Sequence, residues 1–438
     1  RKLVPGTFVA MPLGQKGVMP QPKTYWSARV VAEEGVRGVL ACTEDQAVDE
    51  LDRLLRVSVA GQMLSDVPLG AFLSGGIDSS TVVALMQAQS HRPVRTFTIG
   101  FHEKDYNEAT HAKAVAAHLG TDHTELYVTP DEAMAVIPRL PALYDEPFAD
   151  SSQIPTFLVA ALARRHVTVA LSGDGGDELF GGYNRYFWGQ RAWRRISAIP
   201  GPARATAAWL MRSLSPETWD GIYRVVEPII PRRLRVGRPG ANLHKLADAM
   251  GVRGPEELYI RLASHWESPG SVVRDSREPA TAVTDRAQWA SLPSAWEHMM
   301  YLDLVTYLPG DILVKVDRAA MGVSLETRVP MLDHRVIEFA WRVPLKWKIR
   351  DGQGKWLLRR VLYKYLPRDL VDRPKMGFGV PVDSWLRGPL REWAAALLAP
   401  DRLRRVTPRT TKRPERFSPG PPLSYEQPST VRMRATSA

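Results

Sequence analysis

Two stretches of this sequence carry residue types suited to holding an anion and a metal ion. The first is Ser74-Gly-Gly-Ile-Asp-Ser-Ser80, which follows the apolar run Ala71–Leu73 and leads into Thr81–Met86. Gly75 and Gly76 leave backbone N–H groups unshielded, and Ser79, Ser80 and Thr81 open a helix. Bare amides in a tight turn at a helix N-terminus form an anion site, and phosphate is the expected anion. The Lys-Ser or Lys-Thr ending of a Walker A loop is absent, so this is not the usual kinase or GTPase cradle. Asp78 would repel bound phosphates unless a cation stood between, which points to Mg²⁺. The second stretch, LSGDGGDELFGGY (Leu171–Tyr183), again runs from an apolar segment into Ser-Gly, with four more glycines and three acids following. Asp177 would supply a second carboxylate to the same ion. Either stretch alone reads as a turn capping an ordinary helix; the pair, separated by strand and helix units, outweighs that reading.

These loops need rigid elements to aim them. Leu69–Leu73, Arg95–Ile99, Thr124–Val128 and Val167–Leu171 are short apolar or β-branched runs. Helical stretches such as Ser79–Gln89 and Glu108–Leu119 lie between them. This alternation predicts an α/β fold with a parallel twisted sheet flanked by helices, and ligands beyond the carboxyl ends of its strands. Thr43–Asp66 reads as a helix with a Thr43/Gln46 capping box and an apolar face of Val48, Leu51, Leu55 and Val59. After Tyr186 the chain is mostly helical, broken by Pro330, Pro344, Pro367 and Pro381. No internal repeat is found.

The chain has 438 residues and a net charge of +11. Asp401–Ala438 holds nine Lys or Arg against three Asp or Glu, and six prolines, so more than half of that charge sits in a stretch that reads as a disordered tail. The folded body therefore lacks the basic face of a nucleic-acid binder, and no aromatic–basic interleaving adds one. No run approaches the ~18 apolar residues of a membrane span. The single cysteine, Cys42, fits a reducing, cytoplasmic setting and excludes an internal disulfide framework. His111, His118 and His123 show no metal-site spacing.

SGGIDSS resembles the pyrophosphate loop of the ATP pyrophosphatases, which cleave ATP between the α- and β-phosphates. LSGDGGDELFGGY, VKVDRAAMGVSLETRVPMLDH (Val314–His334) and RPKMGFGVP (Arg373–Pro381) narrow the resemblance to the synthetase domain of glutamine-dependent asparagine synthetases, over roughly Trp26–Leu398. The resemblance implies an adenine nucleotide α-hydrolase-like sheet and a helical C-terminal half. It implies ATP-dependent conversion of aspartate to asparagine through a β-aspartyl-adenylate, with ATP and Mg²⁺ required. It places ATP on Phe72, Ser74, Gly75, Gly76, Asp78, Ser79, Ile99, Ser172 and Gly173, the metal on Asp78 and Asp177, and substrate near Asp145, Glu146, Asp150 and Asp174. Lys375, Glu326 and Tyr183 match positions at the reacting centre. On their own, Glu326 and Arg328 read as a structural ion pair, Lys375 as a helix-capping or solvent contact, and Tyr183 as packing with Phe180.

Two departures qualify the resemblance. Residues 1–26 resemble the last strand and linker of a glutaminase domain whose nucleophile is an N-terminal cysteine, and Cys42 cannot be that residue. The expectation is ammonia as nitrogen source, with glutaminase activity supplied by a separate domain or subunit. The family's Trp- and Leu-rich pattern stops near Leu403, leaving residues 401–438 as a tail expected to be an artefact or degenerate terminus. Residues 27–400 are the expected synthetase domain; homodimerisation stays open. The alternatives are a relative that adenylates another carboxylate (a polysaccharide-modifying amidotransferase, a β-lactam synthetase or a peptide cyclase), an RNA-modifying pyrophosphatase, and a non-catalytic nucleotide-binding fragment.

Overall fold

Short apolar runs alternating with helices build a five-stranded parallel sheet. The structure, a computed structural model, describes residues 2–11, 20–101, 107–227, 239–264, 278–373 and 379–402. Lys375 and most of its motif, residues 12–19 of the N-terminal segment and residues 403–438 of the tail lie outside the described residues.

A small antiparallel pair, β1 (Thr7–Phe8) and β2 (Lys23–Thr24), precedes α1 (Ala28–Arg37). α2 (Glu44–Gln62) starts at the predicted capping box: Thr43 Oγ1 accepts from the Gln46 N–H, and Gln46 Oε1 accepts from the Thr43 N–H. Its Val48, Leu51, Leu55 and Val59 are buried. Then come β3 (Leu69–Phe72), α3 (Ile77–Gln87), β4 (Arg95–Phe101), α4 (Ala109–Leu119) and β5 (Asp122–Val128). After α5 (Pro130–Met134), α6 (Leu140–Tyr144) and α7 (Gln153–Arg164), β6 (Val169–Leu171) leads to α8 (Gly176–Phe180) and α9 (Asn184–Ser197).

The sheet order is β5-β4-β3-β6-β7, all parallel. The four strands expected from sequence are present, with ends shifted by one or two residues. The fifth, β7 (Glu326–Arg328), is Glu-Thr-Arg and carries no apolar signal. It forms because β6 offers it a free edge: the Glu326 N–H donates to Thr168 O and the Ser172 N–H to Arg328 O. From β3 the chain winds outward to β4 and β5, then returns to place β6 on the opposite side. The switch point therefore lies between the carboxyl ends of β3 and β6, where sheets of this kind bind ligands.

The described residues divide into two compact units. One comprises residues 1–194, 254–263 and 280–380, and contains the sheet. In it, a π-helical segment, Asp303–Ile312, carries Pro309 in its interior. The other comprises the described residues among 195–253, 264–279 and 381–402. It contains the helices Gly201–Arg212, Pro216–Val226 and Pro239–Met250, with a small core of Ala208, Ala247 and Met250. No helix among the described residues is long and apolar enough to cross a membrane.

Candidate active site

The first loop turns where β3 ends. Gly75 adopts φ +69°, a conformation that suits glycine, and the chain then enters α3. The Ser74 N–H donates to Ser79 Oγ at 3.2 Å, the Ser74 and Ser79 hydroxyls lie 3.0 Å apart, and the Gly76 N–H donates to Ser74 Oγ at 3.3 Å. Gly76 occupies the N-cap of α3 and offers no side chain to cap it. The first-turn amides thus keep capacity for an external acceptor.

The second loop crosses the first at backbone contact. A Cβ on Gly173 would fall 2.6 Å from the Ser79 nitrogen and 2.7 Å from the Asp78 carbonyl carbon. One on Gly176 would meet the Asp78 carboxylate at 2.3 Å. These glycines let Asp78, from the start of α3, approach Asp177, from the start of α8.

A lysine that sequence reasoning missed lies between those carboxylates. Lys355 Nζ donates to Asp78 Oδ2 and forms an ion pair with Asp177 Oδ1 at 2.7 Å. Burial alone would favour the neutral amine. The Asp177 and Asp78 charges more than offset that and hold Lys355 well above the usual lysine range. Its backbone is tied down: the N–H donates to Phe180 O at 2.8 Å, and φ is +62°, a strained value outside glycine. Gly182 admits its side chain, since a Cβ there would lie 2.0 Å from Lys355 Cε.

Both loops open on one cavity of about 680 Å³ in the sheet-bearing unit, a size that suits a nucleotide-scale ligand. Among the expected ATP residues, Phe72, Ser74, Gly76, Asp78, Ser79, Ile99, Ser172 and Gly173 line it. Gly75 does not; it packs against the His111–Ala112 backbone. Asp174 lines it beside Lys315, its carboxyl raised by burial although Ser172 Oγ donates to it. Arg373 also reaches the cavity. Its Nη2 donates to Ser74 O at 3.2 Å, while its Nε and Nη1 are buried with no partner among the described residues.

Several expected residues stay outside this cavity. Glu326, at the start of β7, pairs with Arg328 Nε at 2.6 Å and lies a strand's length from the carboxyl end of the sheet. Asp145 pairs with Arg318 and Glu146 with Lys2, both on the exposed surface. Asp150 is one side chain removed: Lys315 Nζ donates to it at 2.7 Å and to Ser152 Oγ at 2.8 Å. Tyr183 does not line the cavity and donates to Glu178 Oε1 at 2.7 Å. Arg185 covers the Tyr183 ring and is itself held by the fully buried Asp303, which also accepts from Tyr186 and Tyr259.

Glu178 is pushed up to about 8, first by burial and then by the Asp177 charge. The folded chain therefore binds a proton there that the unfolded chain, with an ordinary value of 4.5, has released. That contribution is full below about pH 4.5 and is lost as pH rises through about 8. Glu178→Gln keeps the shape without the ionisation. Its melting temperature should gain on wild type between pH 5.5 and pH 8.5; a pH-independent difference would show Glu178 to be ionised in the fold.

The family comparison agrees with this geometry. A family model described as asparagine synthase matches residues 50–421. The chain belongs to the asparagine synthase family. Asparagine synthetase [glutamine-hydrolyzing] 1 of Bacillus subtilis is 34% identical over 356 residues, covering 81% of this chain and 53% of that protein. A putative asparagine synthetase [glutamine-hydrolyzing] of Mycobacterium tuberculosis is 38% identical over 406 residues, covering 90% of this chain and 57% of that protein. Amidase chry2 of Gibberella zeae is 23% identical over 388 residues. The chain spans just over half the length of the first two relatives.

For an asparagine synthase family chain, the donor set fits Mg²⁺. Two hard carboxylates converge at the end of a phosphate loop, and the glycines around them leave space that a Cβ would fill. A site of one or two carboxylates completed by substrate phosphates is the usual arrangement for this ion. Lys355 carried one sequence signal, its place in Gly352-Gln-Gly-Lys355 ahead of the helix Trp356–Leu362.

Proposed function

We propose that this chain adenylates aspartate with ATP and converts the adenylate to asparagine with ammonia. The observation that carries this reading is the meeting of two carboxylates and a lysine with an open phosphate loop at the sheet's switch point. An aspartate β-carboxylate oxygen attacks the α-phosphorus, and the bond to pyrophosphate breaks. Ammonia then attacks the acyl carbon, AMP leaves, and the nitrogen gives up one proton. Both partners of the first step are anionic, so cations must stand between them. Mg²⁺ on Asp78 and Asp177 supplies that screening when bound. The Ser74–Ser79 amides and hydroxyls hold the leaving pyrophosphate. Arg373, whose buried Nε and Nη1 have no acceptor among the described residues, adds a fixed charge beside it. The Phe72 and Ile99 side chains form the apolar wall for adenosine.

The proton from nitrogen goes to Asp174. Its carboxyl, raised by burial, and its place on the cavity wall suit a proton acceptor. Asp174→Asn should lower asparagine formation about a hundredfold or more while pyrophosphate exchange falls far less. Glu326→Gln should stay within about threefold in both, because Glu326 pairs with Arg328 away from the cavity. Reversed effects would return the base to Glu326.

A second reading, adenylation of a different carboxylate, rests on Asp145, Glu146 and Asp150 standing off the cavity wall. ATP–pyrophosphate exchange with aspartate against a carboxylate panel, and asparagine yield with ammonia against glutamine, test both readings. Exchange with another carboxylate and none with aspartate would replace the first by the second.

A further inference from the structure

Lys355 is anchored along its backbone and free only beyond it. The Phe180 carbonyl holds its N–H, and Gly354 packs so closely on the next residue that a Cβ would meet the Gly181 carbonyl oxygen at 2.1 Å. The side chain is 8% exposed, and the two carboxylates that it bridges are 18% and 16% exposed. Its ammonium thus fills the seat that the donor set offers to a divalent cation. Asp78, Asp177 and Lys355 together keep one negative charge, and the carboxylates already face a cation. A metal ion entering alone would have to displace an ammonium that is already paired with both carboxylates. A nucleotide changes this, because its phosphates accept both the ammonium and the metal. The flexible lysine stem allows that transfer without moving the backbone.

We propose that Lys355 is the resident cation of this site, which holds Asp78 and Asp177 until nucleotide arrives and then passes them to the divalent ion while turning onto a phosphate oxygen. This rests on the nucleotide site proposed above. It makes metal binding conditional on nucleotide, and it gives Lys355 a role in the order of binding.

The test is Mn²⁺ titration of the full chain, followed by the electron paramagnetic resonance signal of free Mn²⁺, without any nucleotide. Wild type should bind Mn²⁺ at this site no more tightly than Asp177→Asn does. Lys355→Met should bind it at least tenfold more tightly than wild type, and adding Asp177→Asn to Lys355→Met should remove the gain. Circular dichroism checks each fold, and Lys355→Gln serves if the Met variant does not fold. Wild-type binding that is tight and lost in Asp177→Asn would overturn the proposal, as would equal binding by wild type and a folded Lys355 variant. Binding of a fluorescent ATP analogue with Mg²⁺ is read in parallel. Its absence in wild type would remove the nucleotide reading itself, whereas its presence with nucleotide-independent Mn²⁺ binding would remove only the role of Lys355.

Discussion

Asp78→Asn should lower aspartate-dependent pyrophosphate exchange by about a thousandfold or more, with the fold retained. Metal screening of a transferring phosphoryl group is worth several kcal/mol, and each ~1.4 kcal/mol is a factor of ten in rate. The asparagine keeps an oxygen that can accept from Lys355, so the loop crossing at Gly173 persists. The lysine then keeps Asp177 as its one carboxylate partner of the pair, at 2.7 Å in the unchanged chain. A modest fall in melting temperature follows, because a buried cation has lost half of its compensation. The decisive comparison is exchange rate against thermal melt for the same preparation. Exchange within tenfold of wild type in a folded variant would remove Asp78 from the metal site.

Gly173→Ala should cost both nucleotide binding and stability. The new methyl group would sit 2.6 Å from the Ser79 nitrogen and 2.9 Å from its Cα, contacts with backbone that no rotamer change relieves. The two loops would be forced apart at the point where Asp78 meets Asp177. Overpacking of this kind costs about 1–3 kcal/mol, occasionally more. Gly120→Ala is the control. Gly120, unlike Gly173, has a positive φ, +69°, at the end of α4, and a Cβ there meets nothing within 4 Å. It should cost about 1–2 kcal/mol through backbone strain alone and leave ATP binding unchanged. Isothermal titration with a non-cleavable ATP analogue separates the two. Equal affinity in both variants would mean that the loop crossing is not needed for the site.

What the sequence makes legible, and what it hides, follows from how far each signal reaches. The phosphate loop and the second glycine-rich loop are visible because their chemistry is local: bare amides, a carboxylate and a helix start within a few residues. The capping box at Thr43 is visible for the same reason. β7 is hidden because Glu-Thr-Arg becomes a strand only against the edge of β6. Lys355 is hidden because its meaning lies in carboxylates far away along the chain, and a lone lysine before a helix has many uses. The spacing of Asp145, Glu146 and Asp150 gave no sign that the first two turn to surface partners while the third holds Lys315. The roles of Glu326 and Tyr183 depend likewise on which way a side chain faces, which spacing does not record.

The wiring of the sheet also bears on how the chain acquires its structure. β6 and β7 are neighbours, yet residues 172–325 separate them, and the Lys355–Asp78 pair joins positions 277 apart. Pairings this remote pay for loop closure before they return any energy, so they form late and slowly. The segment from β3 to β6 can assemble during synthesis, but its β6 edge stays bare until residues 326–328 have left the ribosome, and its acidic pair uncompensated until Lys355 has. During that interval the growing chain exposes an unpaired strand edge, the kind of surface on which neighbouring nascent chains aggregate. A polypeptide arrested between 328 and 350 should therefore be a chaperone client, and release of the chaperone should coincide with emergence of Glu326–Arg328.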